Sequence, residues 1–307
     1  MNSFSINRFG QVLGWLINVN RIRLLGFTVG IMFSSFLVQL IMFVFGSSEL
    51  VVTYLWSCVD FGAFFIPFVI IFILSMTFTS FTSVGNKQQR GTWLMIPATN
   101  LEKFLSLILY MTVICGLCTI VGYILGDCLR MAGLWIWAQF SADPSAAVGE
   151  VYNYNGVDGT YYLWSSSVRW VFGKMIPLLI TVWTNAINWD WYLWATLLVH
   201  VMMAVWTHSL FMLGSTLLRK YTFIITGIVW FAVVLLFMWT ISHFNHTVFQ
   251  TVWDGDKYVG NAVGSMAYVL MVVLPLLSYF NYKASFHIFK GFQLITNNWT
   301  NYDILKR

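Results

Sequence analysis

The segment TSVGNKQQRGTWLMIPATNLEKF, residues 82–104, is a strongly polar and charged interruption in the first half of an otherwise apolar chain. A short basic amphipathic helix is predicted over 86–95, and Pro97 forces the chain out of helical geometry directly after it. Thr99 and Glu102 have the spacing of a capping box, which predicts that the next helix begins there. The segment is therefore predicted to be a structured loop between two helices.

The composition around this segment is typical of a membrane protein. Hydrophobic residues make up 59% of the 307, and charged residues make up 9%, whereas soluble domains carry roughly 25% charged residues. The mean hydropathy is +0.76. Several windows reach the ~20 apolar residues that cross about 30 Å of hydrocarbon. The chain is therefore predicted to be an all-α polytopic membrane protein in contact with membrane lipids, and its scattered basic residues argue against a nucleic-acid partner.

Apolar windows in the sequence predict six transmembrane helices. They cover residues 24–45, 61–81, 101–125, 191–213, 223–241 and 262–280. Residues 1–23 carry apolar side chains at helical spacing and are predicted to form an N-terminal interfacial helix. Residues 127–189 form a polar and aromatic insert between the third and fourth spans, and residues 281–307 form a polar tail. Together, residues 1–307 are predicted to form a single transmembrane domain.

The distribution of basic residues gives the predicted orientation. With six spans and both termini in the cytoplasm, 12 of the 16 Lys and Arg residues lie on the cytoplasmic side. If residues 168–187 within the insert also crossed the membrane, only seven would lie there. The sequence therefore predicts that residues 82–103 form a cytoplasmic loop and that the insert is extracytoplasmic. Residues 168–187 are predicted to be interfacial or re-entrant.

Motifs for nucleotide binding and for common hydrolases are absent from the sequence. It contains no P-loop, HExxH, GxSxG or EF-hand pattern. His243 and His246 lie close in sequence to Asp254 and Asp256, and these residue types can ligate zinc. A solvated, hydrogen-bonded loop is the commoner arrangement of such residues. We therefore expect no catalytic residue, no cofactor and no metal site, and an intramembrane enzyme that uses these four residues is the weakest hypothesis.

Other residues of the apolar stretches have alternative interpretations. Asp60 precedes the predicted second span and is expected at the outer interface rather than within the membrane. Cys115 and Cys118 have the spacing of a redox pair, but their position inside a span favours buried apolar side chains. Gly122 and Gly126 lie four residues apart, which is typical of close contact between membrane helices.

The run RGTWLMIPATNLEKF, residues 90–104, resembles the loop between the second and third spans in the permease subunits of type 2 ATP-binding-cassette exporters. The runs PATNLEKFLS (97–106) and LLRKYTF (217–223) resemble small permease-like membrane proteins of Bacteroidetes. The resemblance implies a permease of the bacterial inner membrane that works as a homodimer or with a paralogous permease. It also implies a separate ATP-binding-cassette ATPase subunit, which would bind the ATP.

In that family the loop forms a coupling helix that sits in a groove of the ATPase subunit. The resemblance therefore implies a contact set for the partner ATPase, which consists of Lys87, Gln89, Arg90, Trp93, Leu94 and Pro97. The chain departs from the family in one respect, because its large insert follows the third span instead of preceding the last one. The implied function is export of an amphiphilic cargo, and the alternative is a non-transporting membrane scaffold or sensor component.

Overall fold

Long apolar helices dominate the structure. The computed structural model describes residues 4–45, 51–75, 93, 95–141, 148–151, 159–168, 170–171, 191–218, 221–243, 247–254 and 257–291. Within these residues, six helices are long and apolar enough to cross a membrane. The predicted helical, multi-pass membrane architecture is therefore confirmed.

The helices follow one another with short strands between some of them. In chain order they are α1 (Ile6–Phe45), α2 (Val51–Ser75), α3 (Asn100–Leu109), α4 (Cys115–Phe140), α5 (Trp191–Leu217), α6 (Thr222–His243) and α7 (Ser265–Lys290). A π-helical turn, Tyr110–Ile114, joins α3 to α4, so these two form one continuous helix of 41 residues.

Two antiparallel hairpins correct the prediction that the fold is entirely helical. Strand β1 (Val148–Val151) pairs with β2 (Gly159–Tyr162) after α4. Strand β3 (Phe249–Asp254) pairs with β4 (Lys257–Val263) between α6 and α7. Both hairpins lie in connections between the long helices.

Helix α1 has no break where the sequence predicts the end of an interfacial helix. Its 40 residues correspond to about 60 Å, whereas the hydrocarbon core is about 30 Å thick. Roughly half of α1 must therefore extend beyond the hydrocarbon. Val12 and Leu16, which belong to the predicted interfacial segment, are buried within the protein. A separate interfacial helix over residues 1–23 is thus not confirmed.

Several other helices also extend past the predicted spans. Helix α2 begins at Val51, ten residues before the predicted start of the second span at residue 61, and Asp60 is an exposed residue inside this helix. Helix α4 continues through the first part of the predicted insert to Phe140, and α7 continues through the first part of the predicted tail to Lys290. Hydropathy marks where lipid contact ends, but a helical backbone can continue into water because its hydrogen bonds are internal. Residues 172–187 lie outside the described residues.

The described residues group into two units. The first has the bounds Met1–Asn18, Ile71–Met111 and Leu178–Arg307, and the second has the bounds Val19–Ile70 and Thr112–Pro177. In the first unit, α5 and α7 pack through a core that includes Trp206 and Leu270. In the second unit, Ile66 of α2 and Tyr123 of α4 belong to one buried cluster.

In the second unit, two glycines of α4 lie directly against α1. A Cβ atom at Gly122 would lie 2.8 Å from the carbonyl oxygen of Thr28 and 2.9 Å from the Cβ of Ile31. A Cβ atom at Gly126 would overlap the Ser35 hydroxyl. Any larger residue at these positions would therefore push α1 away, and the predicted close helix contact is confirmed.

We predict that Gly126→Ala destabilises the protein by about 1–3 kcal/mol, because the added methyl group forces the two helices apart. Gly133→Ala is a matched control on the same helix, since a Cβ atom there meets nothing within 4 Å. The control is expected to be neutral or slightly stabilising, because alanine favours helix over glycine. Thermal unfolding of the purified variants in detergent checks this. Equal unfolding temperatures for the two variants would contradict the close contact.

Candidate functional site

The C-terminal end of the polar loop is fixed by a capping box at the start of α3. The Thr99 hydroxyl accepts a hydrogen bond from the backbone N–H of Glu102 at 3.2 Å. In return, the Glu102 carboxylate accepts one from the backbone N–H of Thr99 at 2.8 Å. The capping box that the sequence predicts is therefore confirmed, and it determines where the loop ends.

The same carboxylate also binds the N-terminal end of α1. The backbone N–H of Ser5 donates to Glu102 Oε1 at 2.7 Å. Arg8 donates to it through Nη2 at 2.9 Å, and Arg8 Nε lies 3.2 Å from both carboxylate oxygens. The Glu102 side chain is 0% exposed and that of Arg8 is 26% exposed. Glu102 thus joins α1 to α3, and we call Ser5, Arg8, Thr99 and Glu102 the junction.

Further contacts hold the neighbouring turns of the helices at the junction. The Ser106 hydroxyl lies 2.7 Å from the carbonyl oxygen of Glu102 and 3.3 Å from that of Phe9. The Phe104 ring contacts the rings of Phe286 and Phe289 on α7, each with centroids 5.3 Å apart. All these residues belong to the first unit. The ends of α1, α3 and α7 therefore meet around the junction.

The residues implied as partner contacts occupy different environments. Lys87, Gln89, Arg90 and Leu94 lie outside the described residues. Trp93 is only 2% exposed, and its ring lies 5.8 Å from the ring of Trp15 on α1. Pro97 is exposed. In this structure Trp93 thus attaches the loop to α1, while Pro97 lies on the surface.

Sequence reasoning missed several residues that position the loop. Met95, beside Pro97, is 84% exposed, and an apolar side chain at that level of exposure is a surface feature of the loop. Ser5, Arg8 and Trp15 contact the loop region but lie roughly 80 to 100 residues away in sequence. The capping-box spacing indicates the local bonds of Glu102, whereas no local pattern indicates a partner so far away.

A second polar cluster lies in the second unit, around Arg130 of α4. Its guanidinium is fully buried and donates to Asp127 Oδ1 at 2.9 Å. It also donates to the carbonyl oxygens of Leu163 at 3.2 Å and Ser165 at 2.6 Å. Both carbonyls belong to the segment that follows β2. Arg130 therefore attaches this segment to α4.

Asp127 completes the same cluster. Its carboxylate accepts hydrogen bonds from the Ser166 hydroxyl at 3.0 Å, and from the backbone N–H and hydroxyl of Ser167 at 3.0 and 2.8 Å. The Tyr123 hydroxyl lies 3.0 Å from the Ser167 hydroxyl. The carboxylate and the guanidinium thus use their hydrogen-bonding groups on each other and on the loop. This cluster is suited to holding the loop in place and not to acid–base catalysis.

The buried position of Asp127 and Arg130 corrects their assignment to a polar insert. Both residues lie inside α4, because that helix continues beyond the predicted end of the third span. Opposite charges three residues apart share one face of a helix, so their spacing was a usable signal for the ion pair. The contacts with Leu163 and Ser165 have no comparable sequence signal.

Metal-ligating groups do not cluster in the part of the chain that the structure describes. There, no group of three or more His, Cys, Asp or Glu side chains could hold a metal ion. His246 and Asp256 lie outside the described residues, so the absence of a metal site around them stays a prediction. Cys115 and Cys118 form no disulfide bond and Cys115 is buried, in agreement with an apolar packing role.

Comparisons with models of known protein families, with curated proteins and with solved structures find no match to this chain. The resemblance of residues 90–104 to type 2 exporter permeases therefore stays a prediction from sequence. The loop, the junction and the long apolar helices are the features of this chain that bear on its function.

We predict that Glu102→Ala destabilises the first unit by about 2–3 kcal/mol, because it removes the carboxylate half of the capping box and leaves the N–H groups of Thr99 and Ser5 and the Arg8 guanidinium without their acceptor. Glu102→Gln keeps a side chain that can complete the capping box but removes the charge that pairs with Arg8, so it should cost less than half as much. Thermal unfolding in detergent measures both. Wild-type stability of Glu102→Ala would show that the junction does not hold the helices together.

We predict that Arg130→Met costs about 3–5 kcal/mol, because it leaves the Asp127 carboxylate buried without its counter-charge. The double variant Asp127→Leu/Arg130→Met removes both charges and should be closer to wild type than Arg130→Met alone. Unfolding temperatures of the two variants provide the comparison. A double variant less stable than Arg130→Met would contradict the assignment of a mutually compensating ion pair.

Proposed function

We propose that the chain is the transmembrane permease subunit of an ATP-binding-cassette exporter. A separate ATPase subunit would push on residues 82–103, and the permease would move an amphiphilic cargo across the bacterial inner membrane. The membrane-spanning helices and the resemblance of residues 90–104 support this proposal. The observation that carries it is the junction, because a coupling loop must be firmly attached to the helices that it moves.

Two contacts attach the loop to α1, and one of them is the junction. At one, the Trp93 ring packs on Trp15, and at the other, the buried Glu102 carboxylate binds Arg8. Glu102 is also part of the first turn of α3. A displacement of the loop would therefore move the ends of α1 and α3 together, because separating them would leave a buried carboxylate without donors. A loop attached only by its backbone ends would bend instead.

The exposed part of the loop is the proposed contact surface for the ATPase. Met95 and Pro97 lie two residues apart in sequence and are both exposed, and a flexible methionine adapts readily to a partner surface. We retain Lys87, Gln89, Arg90 and Leu94 as further proposed contacts. Trp93 takes a different role in this proposal, since its buried ring attaches the loop to α1 instead of facing the partner.

The remaining parts of the exporter are supplied by other chains in this proposal. The partner subunit binds and hydrolyses ATP, and a second copy or a paralogous permease completes the transport path. Both chain termini and residues 82–103 lie in the cytoplasm, as the distribution of basic residues predicts. A non-transporting scaffold would need the same docking surface but would not need the loop to move α1 and α3.

Purification of the tagged full chain from the membranes of its source cells, with the captured proteins identified by mass spectrometry, tests the proposal. We predict that the ATPase co-purifies with the wild type, that Arg90→Glu releases it, and that the control Arg21→Glu, at an exposed residue of α1, does not. Glu102→Ala should still bind the ATPase but should lose the effect of the permease on ATP turnover. Failure to capture any ATPase would contradict the proposal, and unchanged turnover with bound Glu102→Ala would favour the scaffold.

A further inference from the structure

Helix α7 continues beyond its apolar part with a regular stripe of aromatic and cationic residues. After Pro275, Leu276, Tyr279, Lys283, Phe286 and Lys290 follow one another at spacings of three, four, three and four residues. Residues spaced in this way lie on one face of an α-helix. We call these five residues the α7 stripe.

Each lysine of the α7 stripe lies near the ring of the aromatic residue one turn before it. Lys283 Nζ is 5.7 Å from the centroid of the Tyr279 ring, and Lys290 Nζ is 4.5 Å from that of the Phe286 ring. These distances are within the range of cation–π attraction. Both lysines are exposed, and Tyr279 is 59% exposed. The two ammonium groups are therefore held along the helix face but stay accessible.

The protein itself does not neutralise these two charges in the part that the structure describes. There, the ion pairs join Arg8 to Glu102 and Asp127 to Arg130, and neither involves a lysine of the α7 stripe. The C-terminal end of a helix attracts cations, which accounts for Lys290 in the last turn. Lys283 lies two turns earlier, where this effect has faded, so it needs another explanation.

The position of the lysines along α7 indicates their partner. The apolar part of the helix ends near Phe280, so Lys283 lies roughly 5 Å and Lys290 roughly 15 Å farther along the axis. The headgroup layer on each side of a bilayer is roughly 5–8 Å thick, and electrostatic attraction reaches about 8–10 Å farther at physiological salt. Lys283 thus falls at headgroup level, and Lys290 lies within reach of the charged membrane surface.

We propose that the α7 stripe binds anionic phospholipid headgroups. The lipid phosphate is attracted by the Lys283 and Lys290 ammonium groups, while its acyl chains lie against Leu276 and Tyr279. Leu276 is 53% exposed, and it continues the same face toward the apolar part of the helix. The cationic part of this surface therefore suits the lipid phosphate, and its apolar part suits the acyl chains. The inference does not depend on the proposed exporter function.

Native mass spectrometry of the full chain in detergent, titrated with phosphatidylglycerol or with phosphatidylcholine of the same acyl chains, tests this inference. Wild type should bind phosphatidylglycerol more tightly. Removing one lysine charge should weaken that binding about five-fold, and Lys283→Gln/Lys290→Gln should weaken it about 30-fold. Phosphatidylcholine binding should not change. Lys283→Arg/Lys290→Arg, which keeps both charges, should restore phosphatidylglycerol binding.

Two further controls make the result decisive. Lys257→Gln removes a charge from β4, which precedes α7 in the chain and is not part of the α7 stripe, and it should leave phosphatidylglycerol binding unchanged. Thermal unfolding of each variant checks that it is folded, which is expected for the stripe variants because Lys283 and Lys290 are exposed. Equal binding of the two lipids by wild type would overturn the inference. Undiminished phosphatidylglycerol binding by Lys283→Gln/Lys290→Gln, or an equal loss with Lys257→Gln, would overturn it as well.

Discussion

A carboxylate that is removed from water must be compensated by donors or by a counter-charge, because leaving it unpaired is very costly. Glu102 meets this requirement with the N–H groups of Ser5 and Thr99 and with the Arg8 guanidinium. These donors come from the start of α1 and from the last residue of the polar loop. Satisfying one buried charge therefore brings the chain terminus, the loop and α3 to one place, and the proposed coupling function depends on that arrangement.

The described ion pairs both involve residues of one long helix. Glu102 and Asp127 belong to the same continuous helix of 41 residues and are 25 residues apart in sequence. Each of the two units contains one of the described ion pairs. The Arg8–Glu102 pair joins two helices, and the Asp127–Arg130 pair holds the non-helical segment after β2 against α4. The apolar middle of the helix can thus contact lipid, while polar contacts organise its two ends.

Local features of the fold could be predicted from the sequence, and distant contacts could not. Hydropathy identified the six long helices, and the spacing of Thr99 and Glu102 identified the capping box. Helix ends were predicted too early, because apolar composition ends before the backbone hydrogen bonding does. Gly255-Asp256, the pair between the two strands β3 and β4, is a common hairpin signal in sequence that apolar stretches alone do not reveal. Arg8 lies 94 residues from Glu102, so the central contact of the junction had no sequence signal.

The rigid attachment of the loop to α1 is the central claim, and spin-label distance measurement by electron paramagnetic resonance tests it most directly. Labels at Ile6 and Met95, which are both exposed, report on α1 and on the loop in the full chain after the native cysteines are replaced. The account predicts one narrow distance distribution in lipid bilayers, which broadens in Glu102→Ala. A broad distribution in the otherwise wild-type protein, or one that Glu102→Ala leaves unchanged, would contradict it.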